Sequence, residues 1–148
     1  MRTVSDYLKG KYRLVEIDSE RTAVAAAKKM NAEGIGALLV TRSGKVVGIV
    51  TERDMLSKVV AAMRDPANTQ VATVMTSPVI SVDLGTPLEE CRQIMGDEKI
   101  RHLLVRDGER ALSVISARDL LCAQTNLFLY GKSCQQIDVG GRIFKHFD

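Results

Sequence analysis

Gly48-Ile49-Val50-Thr51-Glu52-Arg53-Asp54 returns later in the chain as Ser113-Val114-Ile115-Ser116-Ala117-Arg118-Asp119. The two stretches stand 65 positions apart (Asp54 to Asp119), and that offset runs without a gap from Val15 against Ile80 to Leu56 against Leu121. Along it Asp18 meets Asp83, Met30 meets Met95, Glu33 meets Glu98, Ile35 meets Ile100, and Leu38-Leu39-Val40 meets Leu103-Leu104-Val105. Chance does not produce such a run. A period this long means two copies of one small domain rather than a solenoid of short units.

Working outward from the motif, the continuous apolar run Ala37-Leu38-Leu39-Val40-Thr41 suits a buried strand. Ser43-Gly44 is a turn signal, and residues 45–50 return as a second strand to make a hairpin. Upstream, residues 14–17 suit a short strand, and residues 22–31 predict a helix with Val24, Ala27 and Met30 on one face, ended by Gly34 and Gly36. Downstream of Thr51 the spacing predicts a helix that buries Met55, Leu56, Val59, Val60 and Met63.

The second copy repeats the pattern with residues 79–82, 102–105 and 110–115 as strands, Asp107-Gly108 as the turn, and Leu88, Cys91, Ile94 and Met95 as the inward face of its first helix. Thr86-Pro87-Leu88-Glu89 reads as the start of that helix, with a hydroxyl cap, Pro in the first turn and Glu at the third position. The last helix carries Leu120, Leu121, Leu127 and Leu129 up to Gly131. Each copy is therefore strand, helix, strand, strand, helix. Residues 4–8 form a lead-in echoed by residues 71–75, and Asp65-Pro66 and Asn68 mark residues 64–70 as the linker.

A strand ending in a small hydroxyl residue, followed by Arg and Asp at a helix start, resembles the closing motif of the cystathionine β-synthase (CBS) domain. Two in tandem resemble a Bateman module, and the resemblance covers residues 4–125. It implies an α/β fold of two CBS repeats packed about a pseudo-twofold axis. The expected domains are 1–66, with the lead-in, and 67–130, followed by a tail at 131–148.

Composition narrows the function classes. The chain has 148 residues, 45% hydrophobic and 26% charged, which is ordinary for a globular protein. Halves of about 65 residues are only marginally able to stand alone, so a shared core is expected. The net charge of +3 is too small and too evenly spread for a nucleic-acid stripe, but it suits a small anionic ligand. Cys91, Cys122 and Cys134 show no C-x-x-C spacing and read as reduced thiols in a cytosol-like compartment. Residues 1–15 carry Arg2, Asp6, Lys9 and Lys11 with no apolar core, so they do not read as a secretory signal. No apolar run approaches the roughly 20 residues of a membrane span. The expected location is cytoplasmic.

The motif offers two chemistries. As a ligand site, backbone N–H groups at the helix start favour an anion, and the Thr51 or Ser116 hydroxyl can donate to a phosphate oxygen. Arg53 or Arg118 adds a charge-assisted contact, while Asp54 or Asp119 can accept from both hydroxyls of a ribose. As plain architecture, Thr51-x-x-Asp54 and Ser116-x-x-Asp119 are capping boxes. A cap has no need of Arg53 and Arg118, which favours the ligand. Arg101-His102 precedes the central strand of the second copy, where the resemblance implies a phosphate contact; a solvated Arg beside an edge His is the alternative. The first copy has Gly36 and Ala37 there, and Ser113 replaces Gly48, so the second copy is expected to approach a ligand more tightly and the two sites to be unequal.

No H-E-x-x-H, G-x-x-x-x-G-K-[ST], G-x-S-x-G or complete G-x-G-x-x-G is present, so no enzyme class is indicated. The resemblance implies a regulatory, energy-sensing module that binds an adenosyl ligand (AMP, ADP, ATP or S-adenosylmethionine) between its copies, with no metal predicted. It also implies a homodimer through the helix faces bearing Met55, Val59 and Met63, and a regulated partner protein. The competing reading is a ligand-free scaffold whose motifs only cap helices. A nucleic-acid adaptor is weak, because Arg142 and Lys145 are too few.

Overall fold

Leu38, Leu39 and Val40 are fully buried, and so are Leu103, Leu104 and Val105; each apolar run is the middle strand of its own three-stranded sheet. The computed structural model describes residues 1–124, together with the backbone of 138–139 and 142–143. Two compact units emerge, one of residues 14–80 and the other of 1–13 with 81 onward.

In the first unit β1 (Glu16–Asp18) lies parallel to β2 (Ala37–Arg42), and β3 (Lys45–Thr51) returns antiparallel to β2. A parallel pair needs a crossover, which is α2 (Ala23–Glu33). Thr22 caps it by accepting from the Ala25 amide, and Gly34 closes it at φ +63°. The Ser43-Gly44 turn has both residues at positive φ, as a two-residue hairpin of matching twist requires. The buried face of α2 is Ala23, Ala26 and Met30, rather than Val24, Ala27 and Met30. The cap at Thr22 sets the helix rotation, and two alanines let its backbone lie close to the sheet.

Beyond Thr51 the chain makes one α-turn, α3 (Glu52–Asp54), and then a π-helix over Met55–Val60. The Ala61 and Arg64 amides donate to the Leu56 and Val59 carbonyls, both five residues back. The wider turn breaks the 3.6-residue stripe expected there. Val59 is 2% exposed and Met55 packs partly on the core, but Leu56, Val60 and Met63 are 65%, 68% and 92% exposed.

The expected linker is sewn onto α2. The Ala23 and Val24 amides, orphan donors of the first turn, donate to Thr69 O (2.7 Å) and Pro66 O (3.1 Å), and Thr69 is buried. Val71 and Ala72 then donate to Arg21 O and Ser19 O, which brings fully buried Val71 and Val74 into the first core. Burying a Val in this way contributes about 1.5–3 kcal/mol.

The second unit repeats the architecture with β4 (Ser81–Asp83), α4 (Leu88–Asp97), β5 (His102–Asp107), β6 (Arg110–Ser116) and α5 (Ala117–Gln124). Even the register shift recurs, at Val40/Thr41 and at Val105/Arg106. Leu88, Cys91 and Met95 are buried on α4 as expected, with Ile94 partly so. The cap differs. Pro87 takes the cap position with no side-chain bond, and the Thr86 hydroxyl instead accepts from the Asp83 amide at 3.1 Å, closing the preceding turn.

The missing cap is supplied by the chain's beginning. The lead-in forms α1 (Val4–Leu8), with its own Thr3/Asp6 capping box, and buries Val4 and Leu8. Leu88 N donates to Arg2 O at 2.9 Å, while Val4 N and Ser5 N donate to Thr86 O and Leu84 O. Compact units are therefore cut at 13/14 and 80/81, which leaves residues 4–8 with the second copy and residues 71–75 with the first. Each unit takes as its cap the lead-in of the other copy.

Cys91 is a free, buried thiol. Cys122 is disulfide-bonded, contrary to the expectation of three reduced thiols. Cys134, the leucines at 127 and 129, the break at Gly131 and the basic tail lie outside the described residues, apart from the short antiparallel ladder of β7 (Asp138–Val139) with β8 (Arg142–Ile143). Among the described residues no helix is long and apolar enough to cross a membrane.

Candidate functional site

Thr51 and Ser116 end the outer strands of their sheets, paired with Ala37 and His102 at the start of the central strands. Each unit thus brings its hydroxyl, Arg, Asp and central-strand entrance to one end of its sheet. The backbone ties them further: Glu52 N donates to Gly36 O (3.0 Å) and Ala117 N to Arg101 O (2.9 Å).

Both motifs are complete capping boxes. In the first, Thr51 N and Oγ1 donate to Asp54 Oδ2 at 2.9 and 3.0 Å, and Asp54 N donates back to Thr51 Oγ1 at 3.2 Å. In the second, Ser116 N and Oγ donate to Asp119 Oδ2 at 2.6 and 2.7 Å, and Asp119 N returns to Ser116 Oγ at 3.2 Å. A hydroxyl has one proton. Both are directed at the carboxylates, so donation from Thr51 or Ser116 to a phosphate requires the cap bond to open.

The other carboxylate oxygen separates the copies. Asp54 Oδ1 accepts from Thr76 Oγ1 (3.2 Å) and pairs with Lys58 Nζ (2.9 Å), and Asp54 is only 6% exposed. Lys58 also reaches Val74 O at 3.1 Å, fastening the π-helix to the segment that follows the linker. Asp119 Oδ1 accepts from the Tyr7 hydroxyl at 2.9 Å, and Asp119 is partly exposed. Burial, and then the neighbouring Asp119 charge, raise the Tyr7 phenol far above its usual range, so it stays a donor.

The strand entrances differ in charge as well. An added Cβ on Gly36 would stand 3.1–3.3 Å from the Glu52 carboxylate, so the first copy places an acid where the second has Arg101, with small Ala117 opposite. Arg101, Arg53 and Arg118 are exposed and His102 is half-buried. Gly48 serves chain packing: a Cβ there would lie 2.5 Å from Met75 Sδ and 3.0 Å from Thr76 O. Ser113 fills the matching place by donating to Arg13 O and accepting from Arg13 N, both at 3.2 Å. The Gly48/Ser113 difference thus follows from which segment crosses the strand.

Sequence reasoning missed Tyr7, Lys58 and Thr76. Tyr7 lies in a lead-in with no catalytic pattern, and its partner is 112 positions away. Lys58 stands four residues after Asp54, an i,i+4 pairing that was legible as helix support. Two surface hollows lie away from these residues, one along α4 by Glu89, Gln93 and Asp97, the other at the linker by Arg64, Asn68 and Thr73. Among the described residues no His, Cys, Asp or Glu side chains gather in a way that could hold a metal ion.

The family model of the CBS domain matches residues 4–61 and again 71–126. The chain belongs to the CBS-domain family. It is a tandem CBS pair, and such pairs are generally regulatory modules that often bind adenosyl ligands. A protein with CBS domains from Burkholderia ambifaria is 35% identical, with a TM-score of 0.82 over 84% of this chain and 95% of that one. The mitochondrial CBS domain-containing protein CBSX3 of Arabidopsis thaliana is 30% identical over 131 residues, 82% of this chain and 64% of the relative. A hexameric CBS-CP12 protein of bloom-forming cyanobacteria is 29% identical, with a TM-score of 0.69 over 74% of this chain and 65% of that one. The chain spans just under two thirds of the length of the first relatives matched by sequence.

Proposed function

We propose that this CBS pair is a non-catalytic sensor that binds a phosphate-bearing adenosyl ligand at its second domain and signals occupancy to a regulated protein. Ser116, Arg118 and Asp119 line the corner, with Arg101 and His102 at the adjoining strand entrance. The observation that carries this reading is the contrast between the two motifs. Asp54 is buried and paired with Lys58, and the Glu52 carboxylate stands at its unit's strand entrance beside Gly36, whereas Asp119 is partly exposed and its unit has Arg101 at that entrance; Arg53 and Arg118 are exposed in both. An anion is favoured at the second motif and disfavoured at the first, so Thr51, Arg53 and Asp54 are the weaker site.

A paired titration tests it. Each hydrogen bond to a charged group contributes about 1.5–3 kcal/mol, so Arg101→Ala should weaken AMP about tenfold or more and leave adenosine nearly unchanged. Equal losses for both ligands, or none, return Arg101 to a surface charge.

The complete capping boxes favour a second reading, a ligand-free scaffold. A thermal-shift panel separates the two, since a ligand at about 100 times its dissociation constant adds roughly 2.7 kcal/mol. Stabilisation by AMP, ADP, ATP or S-adenosylmethionine also identifies the ligand, and a flat panel supports the scaffold.

The proposal includes a homodimer. Leu56 and Val60 on the π-helix and Met63 in the turn after it are exposed apolar side chains of the first unit, and Leu121, the repeat equivalent of Leu56, is exposed in the second. Surfaces of this kind are partner sites more often than bare ones. The expected stripe of Met55, Val59 and Met63 is thus replaced by one that excludes buried Val59. A cytoplasmic location completes the proposal and requires the Cys122 disulfide to be reduced there; thiol counting on protein trapped by alkylation during lysis checks it.

A further inference from the structure

Resting on the adenosyl reading of the second CBS domain, we propose that Tyr7 is a specificity-determining residue of that site: it leaves Asp119 room to accept a single ligand hydroxyl. An ionised carboxylate offers about four acceptor positions. At Asp54 all are taken: Thr51 N and Oγ1 on Oδ2, Thr76 Oγ1 and Lys58 Nζ on Oδ1. At Asp119 three are taken: Ser116 N and Oγ on Oδ2, and the Tyr7 hydroxyl on Oδ1. Among the described residues, no donor takes the other position on Oδ1. The second site therefore receives one hydroxyl without displacing a protein donor, and the first receives none.

A ribose presents two neighbouring hydroxyls, and a carboxylate with a free edge accepts both. Here the phenol occupies part of that edge, and it remains protonated because burial and the Asp119 charge both oppose its ionisation. The residue comes from α1, whose place in the second unit is set by Val4 and Leu8 packing and by the Arg2 carbonyl on α4. The lead-in thus shapes the ligand site as well as closing the core. One ribose hydroxyl meets Asp119, while the other faces solvent or the Tyr7 oxygen and contributes little to affinity.

The test is calorimetric titration of the full chain and of Tyr7→Phe with AMP, 2′-deoxy-AMP and 3′-deoxy-AMP. The wild-type chain should bind one deoxy analogue within about twofold of AMP and the other about tenfold more weakly. Tyr7→Phe keeps the ring and opens the second acceptor, so AMP should bind more tightly and both analogues should fall about tenfold below it. Equal losses for the two analogues in the wild-type chain, or no loss for either, overturn the inference even if the variant does not fold. A Tyr7→Phe pattern identical to wild type also overturns it, while leaving adenosyl binding intact. No binding of any of the three by either chain overturns the adenosyl reading and this inference with it.

Discussion

Cys91 is fully buried on α4, and burial, with the nearby Glu90 charge, pushes its thiol up to about 11. An unfolded thiol titrates near 8.5, so the folded state holds this proton through a range in which the unfolded state has lost it. The stability linked to that proton is complete below about pH 8.5 and is lost as pH rises toward 11. The thermal midpoint should therefore fall between pH 8 and 11, and Cys91→Ala should flatten that fall. At pH 8 a thiol reagent should modify Cys91 only as fast as the chain opens. At Gly48 the constraint is steric. Met75 Sδ can swing away from a new methyl, but Thr76 O is fixed by its two backbone bonds with Ile49. Gly48→Ala should cost about 1–3 kcal/mol in chemical denaturation.

At the scale of elements, the π-helix and the segment after the linker are held together by one cation. Lys58 pairs with buried Asp54 and donates to Val74 O and to Thr76 Oγ1. Lys58→Met should destabilise the first unit by about 1–3 kcal/mol, the lower part of that range reflecting the half-exposed ammonium. Asp54→Asn should behave similarly, because it weakens four donors at once. Asp119→Asn should instead show its larger effect in AMP titration, with affinity reduced about tenfold. If Asp54→Asn and Asp119→Asn had interchangeable effects on stability and binding, the division of labour between the motifs would be wrong.

At the scale of the whole molecule, the lead-ins are exchanged, and this makes a truncation informative. Deleting residues 1–13 removes Val4 and Leu8 from the second core, about 3–6 kcal/mol of burial, together with the Arg2 carbonyl on α4. Hydrogen exchange should then show lost protection over 81–124 while 14–80 keeps its own. Uniform loss across both units would mean that they do not hold their cores separately. The exposed Leu56, Val60 and Met63 lead to a second expectation: sedimentation at micromolar concentration shows a dimer, and Val60→Glu shifts it to monomer. A wild-type chain that sediments only as monomer excludes this interface.

The gap-free repeat was enough to read the α/β class, both hairpins, the middle strands and the pair of hydroxyl-x-Arg-Asp corners, because these depend on residues close in sequence. Strand burial follows from a run such as Leu38-Leu39-Val40, and a capping box from residues three apart. What the tertiary structure alone decided lies at long separation or in a broken period. Val24 and Ala27 lost their place on the buried face of α2 to Ala23 and Ala26 because the packed cap set the helix rotation. Leu56, Val60 and Met63 came to the surface because a π-turn replaced the 3.6-residue repeat. Tyr7 came to Asp119 because α4 begins with Pro87, has no side-chain cap, and draws its missing carbonyl and apolar cover from the start of the chain. A pairing across 112 positions leaves no periodic trace in sequence; it exists only once two sheets have formed and each needs an end covered.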